Sequence, residues 1–242
     1  NNSEYAKNIV KNLIKEITKS NSKSAVASSG LSMQYAIMMG LVDFAQTTYP
    51  NKKIKFIVPP NCYGGTNDQA RRVADCIPNV DIIDLLVDGK NNMVNSLDTI
   101  LEEISQENSV PLIIAEIPTN PRVEVPDLNN LKNVLSKKRL SKRGDIAISP
   151  IFILDQTFCP NFNFLGNNAI LSEIRTISYV SGSKFPSGGK CTAGYCIGNE
   201  HTIQIIDKIE LHLNLCDNEA TNLQYEILSR QMPSMNKRIH SA

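Results

Sequence analysis

The chain has 242 residues, 41% of them hydrophobic and 20% charged, which is the make-up of an ordinary soluble globular protein with one large domain. A formal net charge of +1 excludes a general electrostatic pull toward nucleic acid, and no apolar run approaches the roughly 18 residues of a membrane span. A small-molecule role, with neither nucleic acid nor membrane as partner, is the expectation.

The N-terminal "NNSEYAKNIVKNLIKEI" is charged and amphipathic, not signal-like, and predicts a helix. Its abrupt start carries the expectation that residues precede Asn1. Seven stretches then predict strands: 24–29, 54–58, 80–87, 111–117, 151–155, 174–181 and 193–197. Most are nearly continuous apolar runs, as in strands covered on both faces. Between them 31–47, 64–76, 95–107 and 127–139 carry helical periodicity. Alternation of this kind predicts an α/β fold with a mainly parallel sheet between helical layers.

The stretch "LKNVLSKKRLSKRGD", 131–145, holds six Lys or Arg residues. It reads as cations near a helix C-terminus followed by a solvated loop, not as a nucleic-acid surface. The last segment predicts a helix up to Pro233. A domain over 1–225 is therefore expected, with 226–242 starting a helix that leads to a further, C-terminal domain. Cysteines at 62, 76, 159, 191, 196 and 216 form no CxxC, and His201, His212 and His240 stand alone, so no metal site is expected and reduced thiols in the cytoplasm fit.

Five places put polar or flexible residues where strands end, the edge at which such sheets bind ligands. In "ASSGLS", 27–32, Gly30 opens a helix whose free N–H groups suit a phosphate; a plain helix cap by Ser29 accounts for it equally. In "NCYGGTND", 61–68, Tyr63 is either a plate for a planar ligand or a buried turn tyrosine. In "AEIPTNPRVEV", 115–125, Asn120 sits in a rigid turn that needs no ligand to explain it. In "FILDQTFCP", 152–160, Asp155 ends an apolar strand, where it either meets a cation such as a protonated heterocycle nitrogen or caps the next turn. In "SYVSGSKFPSGG", 178–189, Lys184 is either a solvated charge or a held nucleophile beside Ser181, Ser183 and glycine donors. Taken together, a lysine, phosphate donors, an aromatic plate and a deep carboxylate are what pyridoxal phosphate needs.

In order, "SSG" at 28–30, "YGGT" at 63–66, "EIPTNP" at 116–121, "DQTF" at 155–158 and "SGSKF" at 181–185 resemble the pyridoxal-phosphate enzymes of cysteine and methionine metabolism. That family comprises the cystathionine γ-synthase, cystathionine β-lyase, cystathionine γ-lyase and methionine γ-lyase group. The resemblance implies the large domain of the aspartate-aminotransferase-like fold, fold type I. It implies that Lys184 carries the cofactor as a Schiff base and moves protons, and that Tyr63 stacks on the ring and assists. Asp155 would keep the pyridine nitrogen protonated, Asn120 would lie beside the ring oxygen, and Ser29, Gly30, Leu31, Thr157, Ser181 and Ser183 would complete the cofactor site. The implied reaction is elimination or replacement at the β or γ carbon of a sulfur amino acid or O-acylhomoserine, in a homodimer or homotetramer.

The sequence departs from the family after the lysine, where "PSGGKCTAGY" replaces a Gly-His-Ser-Asp run, and in the longer basic loop at 136–149. An N-terminal Tyr-x-Arg arm and a C-terminal substrate-binding arginine are not visible. The alternatives are another fold type I enzyme, a desulfurase or aminotransferase, and a non-catalytic domain that kept the fold.

Overall fold

The computed structural model describes residues 2–60, 65–86, 92–117, 127–182 and 185–241. In chain order the elements are α1 (Asn2–Thr18), β1 (Ser24–Ala27), α2 (Gly30–Thr48), β2 (Ile54–Val58), α3 (Gly65–Cys76), β3 (Val80–Asp84), α4 (Asn92–Glu107), β4 (Val110–Glu116), α5 (Leu128–Ser136), β5 (Ile151–Asp155), β6 (Arg175–Ser181), β7 (Gly194–Gly198), α6 (Ile203–Leu215), α7 (Asn222–Gln231) and α8 (Met235–His240).

The seven strands form one sheet in the order β1-β7-β6-β5-β4-β2-β3. The pairs β2–β3, β2–β4, β4–β5 and β5–β6 are parallel, and β7 runs antiparallel to both β6 and β1. Every residue of β4 is buried because both of its faces are covered. Successive side chains point to opposite faces, so Ile113 and Ala115 join one core while Leu112 and Ile114 join the other. The first core includes Val10 and Ile14 of α1, Leu97 of α4, Leu131 of α5 and Tyr225 of α7. The second includes Met33 and Leu41 of α2, Ala70 of α3 and Ile209 of α6. The result is a three-layer α/β/α fold, as the alternation predicts.

Close packing of α2 against α6 depends on Gly40, where an added Cβ would stand 2.8 Å from the Ile209 backbone nitrogen. Only a residue without a side chain admits that approach. The sequence reading assigned no element to α6, although Ile205, Ile206, Ile209 and Leu213 form its buried stripe.

Two expectations about charged segments change. Arg139 is not solvated: its side chain is 6% exposed and it pairs with Asp98 and Glu102, each at 2.7 Å. It also donates to the Val134 carbonyl at 3.1 Å, closing the end of α5. The helix there ends at Ser136, and Leu140 bridges Ile146 in a short antiparallel contact. The tail does not stop at Pro233, because that proline opens a tight turn over Met232–Ser234, where its missing N–H costs no hydrogen bond, and α8 follows. Tyr225, Leu228, Met232 and Met235 of this segment are buried. No helix among the described residues is long and apolar enough to cross a membrane.

Candidate functional site

The carboxyl ends of β1, β5 and β6 meet the N-terminus of α2 around a cavity of about 190 Å³. Ser29, Gly30, Leu31, Asp155, Thr157 and Ser181 all line it. These six residues from three distant segments are the described part of the site expected from sequence. Lys184, Ser183, Tyr63 and Asn120 lie outside the described residues.

Ser29 caps α2: its hydroxyl accepts from the Ser32 N–H at 3.0 Å and donates to Ser32 Oγ at 2.8 Å. Gly30 and Leu31 then supply first-turn amides that have no carbonyl one turn back, and the helix dipole favours an anion in front of them. The cap and the expected anion cradle are thus compatible with the same geometry. Gly30 is required by close approach, since a Cβ there would stand 2.7 Å from Tyr179 Oη and 3.3 Å from Ser181 Oγ.

Asp155 is not fully buried; it is the half-buried last residue of an otherwise buried strand. One of its carboxylate oxygens, Oδ1, accepts from the Thr157 N–H at 2.9 Å and from the Thr157 hydroxyl at 2.6 Å. That hydroxyl in turn accepts from the Ser181 N–H at 3.1 Å. Thr157 therefore ties the end of β5 to the end of β6, and the turn-capping reading of Asp155 holds beside its place in the cavity. Gln156, between them, is buried and holds the turn by donating to the carbonyls of Cys159 and Phe162, while accepting from Ser178 Oγ.

Just behind, the Cys159 thiol donates to the Ile117 carbonyl at 2.9 Å. Its pKa is pushed up to about 11, first by burial and then by the negative charge of Asp155. It is a neutral thiol at physiological pH. Cys76, Cys159, Cys191, Cys196 and Cys216 are all free.

The segments flanking residues 183 and 184 are anchored on both sides. Gly182 donates to the Ala193 carbonyl at 2.8 Å, and Ser187 donates to the Gly182 carbonyl at 3.0 Å. Arg238 of α8 donates to the Phe185 carbonyl at 3.0 Å through Nε and to the Pro186 carbonyl at 3.3 Å through Nη2. The sequence reading missed Arg238, which has no local signal because its partners lie about fifty residues away in the chain.

Gln34, Phe158, Tyr179 and Thr192 also line the cavity without having been expected there. Gln34 had a signal. It is one helical turn after Gly30, on a face of α2 whose other buried residues are almost all apolar. It is 7% exposed, and its Oε1 has no hydrogen-bond partner among the described residues.

A cavity at the carboxyl ends of parallel strands, against a helix N-terminus, is placed where doubly wound α/β proteins bind their ligands. Solved structures of the same fold include cystathionine gamma-lyase from yeast, with a TM-score of 0.68 and 16% identity over 94% of this chain. Cystathione gamma lyase from Micromonospora echinospora matches with a TM-score of 0.65 and 15% identity over 93% of this chain. Cystathionine gamma synthase from Xanthomonas oryzae pv. oryzae, solved in complex with cystathionine, matches with a TM-score of 0.64 and 15% identity over 94%. The chain spans 50% of the length of each of these structures. No protein-family model matches it, and no curated protein sequence matches it significantly. At this level of identity the likeness is one of fold.

Proposed function

We propose that the chain is the cofactor-binding domain of a pyridoxal-phosphate enzyme that eliminates or replaces a β or γ substituent of a sulfur amino acid or O-acylhomoserine. The observation that carries this reading is the convergence of Ser29, Gly30 and Leu31 with Asp155, Thr157 and Ser181 on one cavity. The donor set fits the cofactor: helix amides and serine hydroxyls suit a phosphate, and the carboxylate at the end of β5 suits a protonated ring nitrogen. The space kept open by Gly30 in front of Tyr179 and Ser181 belongs to the same fit.

Bound pyridoxal phosphate supplies an electron sink for negative charge at the α-carbon of an amino acid. The chain's own residues do the rest. Gly30, Leu31, Ser29, Ser181 and Ser183 hold the phosphate. Asp155, oriented by its two hydrogen bonds from Thr157, holds the proton on the ring nitrogen. Tyr63 would support the ring and Asn120 would meet its oxygen. Lys184 Nζ would anchor the cofactor and would move the proton at the substrate's α-carbon. Its approach is supported by Arg238, which fixes the carbonyls of the two residues that follow it. In the same reading the whole protein is a cytoplasmic homodimer or homotetramer that completes the site with further contacts to the substrate carboxylate.

Borohydride reduction after incubation with pyridoxal phosphate, followed by peptide mass mapping, tests the reading. The expected result is a pyridoxyl adduct on Lys184 that disappears in Lys184→Ala. Absence of any adduct from a folded wild-type chain overturns it. Product profiles with cystathionine, methionine and O-acylhomoserines would then separate the sulfur-amino-acid reaction from a desulfurase or aminotransferase.

A further inference from the structure

The geometry points to Gln34 as a direct polar contact for the pyridoxal phosphate of this cavity, which makes this inference rest on the function proposed above. Three observations converge on it. Gln34 lines the cavity together with Asp155 and Thr157. It is more than nine-tenths buried, on a helix face whose other inward residues include Met33, Ile37, Met38 and Leu41. Its buried Oε1 has no partner among the described residues.

A carboxamide has two donors and an acceptor oxygen, and a native fold leaves few such buried atoms unsatisfied. The other buried residues of this helix are apolar, and Met or Leu would fill the volume of Gln34 without an unmet hydrogen bond. A polar side chain kept in that position is explained by a ligand that satisfies it. The position follows from the helix. Gln34 is four residues after Gly30, so it projects from the same side of α2 as the amide cradle, and its side chain leans back toward the helix N-terminus. From there the carboxamide reaches the interior of the cavity between the first turn of α2 and the ends of β5 and β6.

The consequence is a trade between stability and binding. Gln34→Met removes an unmet polar atom from the ligand-free chain and removes a hydrogen bond from the loaded one. Thermal unfolding of the ligand-free Gln34→Met chain is expected at or above the wild-type midpoint. Its dissociation constant for pyridoxal phosphate, from absorbance titration, is expected to rise about tenfold. Titration with pyridoxal, which lacks the phosphate, locates the contact: equal weakening for both ligands places Gln34 at the ring, with Oε1 accepting from a ring donor, and weakening for the phosphate ester alone places it at the phosphate, whose oxygens only accept, with the carboxamide turned to present Nε2. Gln34→Ala, which cannot overpack, serves if Gln34→Met fails to fold.

Unchanged affinity for both ligands in a folded variant overturns the inference. So does a variant that is destabilised and binds as well as wild type, because Gln34 would then be a packing residue. These outcomes are distinct from failure of the functional reading, which would show as a folded wild-type chain that binds no pyridoxal phosphate and would remove the inference with it.

Discussion

The two rims of the sheet treat polar side chains differently. At the amino-end rim, Arg139 is buried in a region that also opens on a cavity of about 400 Å³ with Lys137, Lys138 and Arg175. There the guanidinium is saturated by Asp98, Glu102 and the carbonyls of Asp98 and Val134. Arg175 gives Nη1 to the Tyr49 hydroxyl and Nη2 to the Ser149 carbonyl, while its buried Nε has no partner among the described residues. At the carboxyl-end rim the cavity is half that size, yet Gln34 keeps an unspent oxygen and the first amides of α2 point outward. The larger cavity is the place where polar groups hold the fold together. In the proposed function the smaller one is where they meet the ligand.

Three substitutions sharpen or break that contrast. The largest effect is expected for Gly30→Ala, whose Cβ would stand 2.7 Å from Tyr179 Oη. Relief of that overlap costs about 1–3 kcal/mol and fills the space in front of the cradle. Both the unfolding midpoint and pyridoxal-phosphate binding should fall. A variant with wild-type cofactor affinity would show that the cradle is not where the ligand sits.

Arg139→Met comes next. It breaks a pair whose cation is buried but whose carboxylates, on Asp98 and Glu102, are about half exposed, so water can take over part of the loss. Chemical denaturation should show about 1–2 kcal/mol of destabilisation, with cofactor affinity unchanged. A fall in affinity at equal stability would contradict the division between the two rims.

The smallest effect concerns Cys159. Its folded pKa, about 11, lies above the ordinary thiol value of 9.0, so the contribution to stability is complete below pH 9 and is lost as pH rises toward 11. At pH 8 iodoacetamide should modify the exposed Cys76 and Cys216 while sparing Cys159. Asp155→Asn removes the negative charge that contributes to the shift, so labelling of Cys159 should begin at a slightly lower pH. An unchanged pH of onset would mean that burial alone protects the thiol.

How far the sequence could be read depended on the range of the forces involved. Runs such as "IKFIV" and "IFILD" identify covered strands because burial on both faces demands apolar residues throughout. The direction of β7 is invisible in "GYCIG", since an antiparallel buried strand has the same composition as a parallel one. The helix α6 was legible and was overlooked. Arg139 was read as solvated because a local pattern of cations carries no record of two carboxylates some forty residues earlier.

For the site, the polar residues at strand ends were legible one by one, each with an ordinary structural explanation beside the functional one. Two of the structural explanations hold: Ser29 does cap its helix, and Asp155 does cap its turn. What the sequence by itself determined is the alternation of covered strands and helices, and with it the edge on which ligand-facing residues fall, because periodicity and burial are local demands on composition. Only the tertiary structure decided that Thr157 joins the ends of β5 and β6, that Arg238 closes on the segment after Lys184, and that Gln34 keeps an unsatisfied oxygen in the cavity. Those facts depend on which distant atoms come within hydrogen-bond reach, and that is set by the packing of the whole chain.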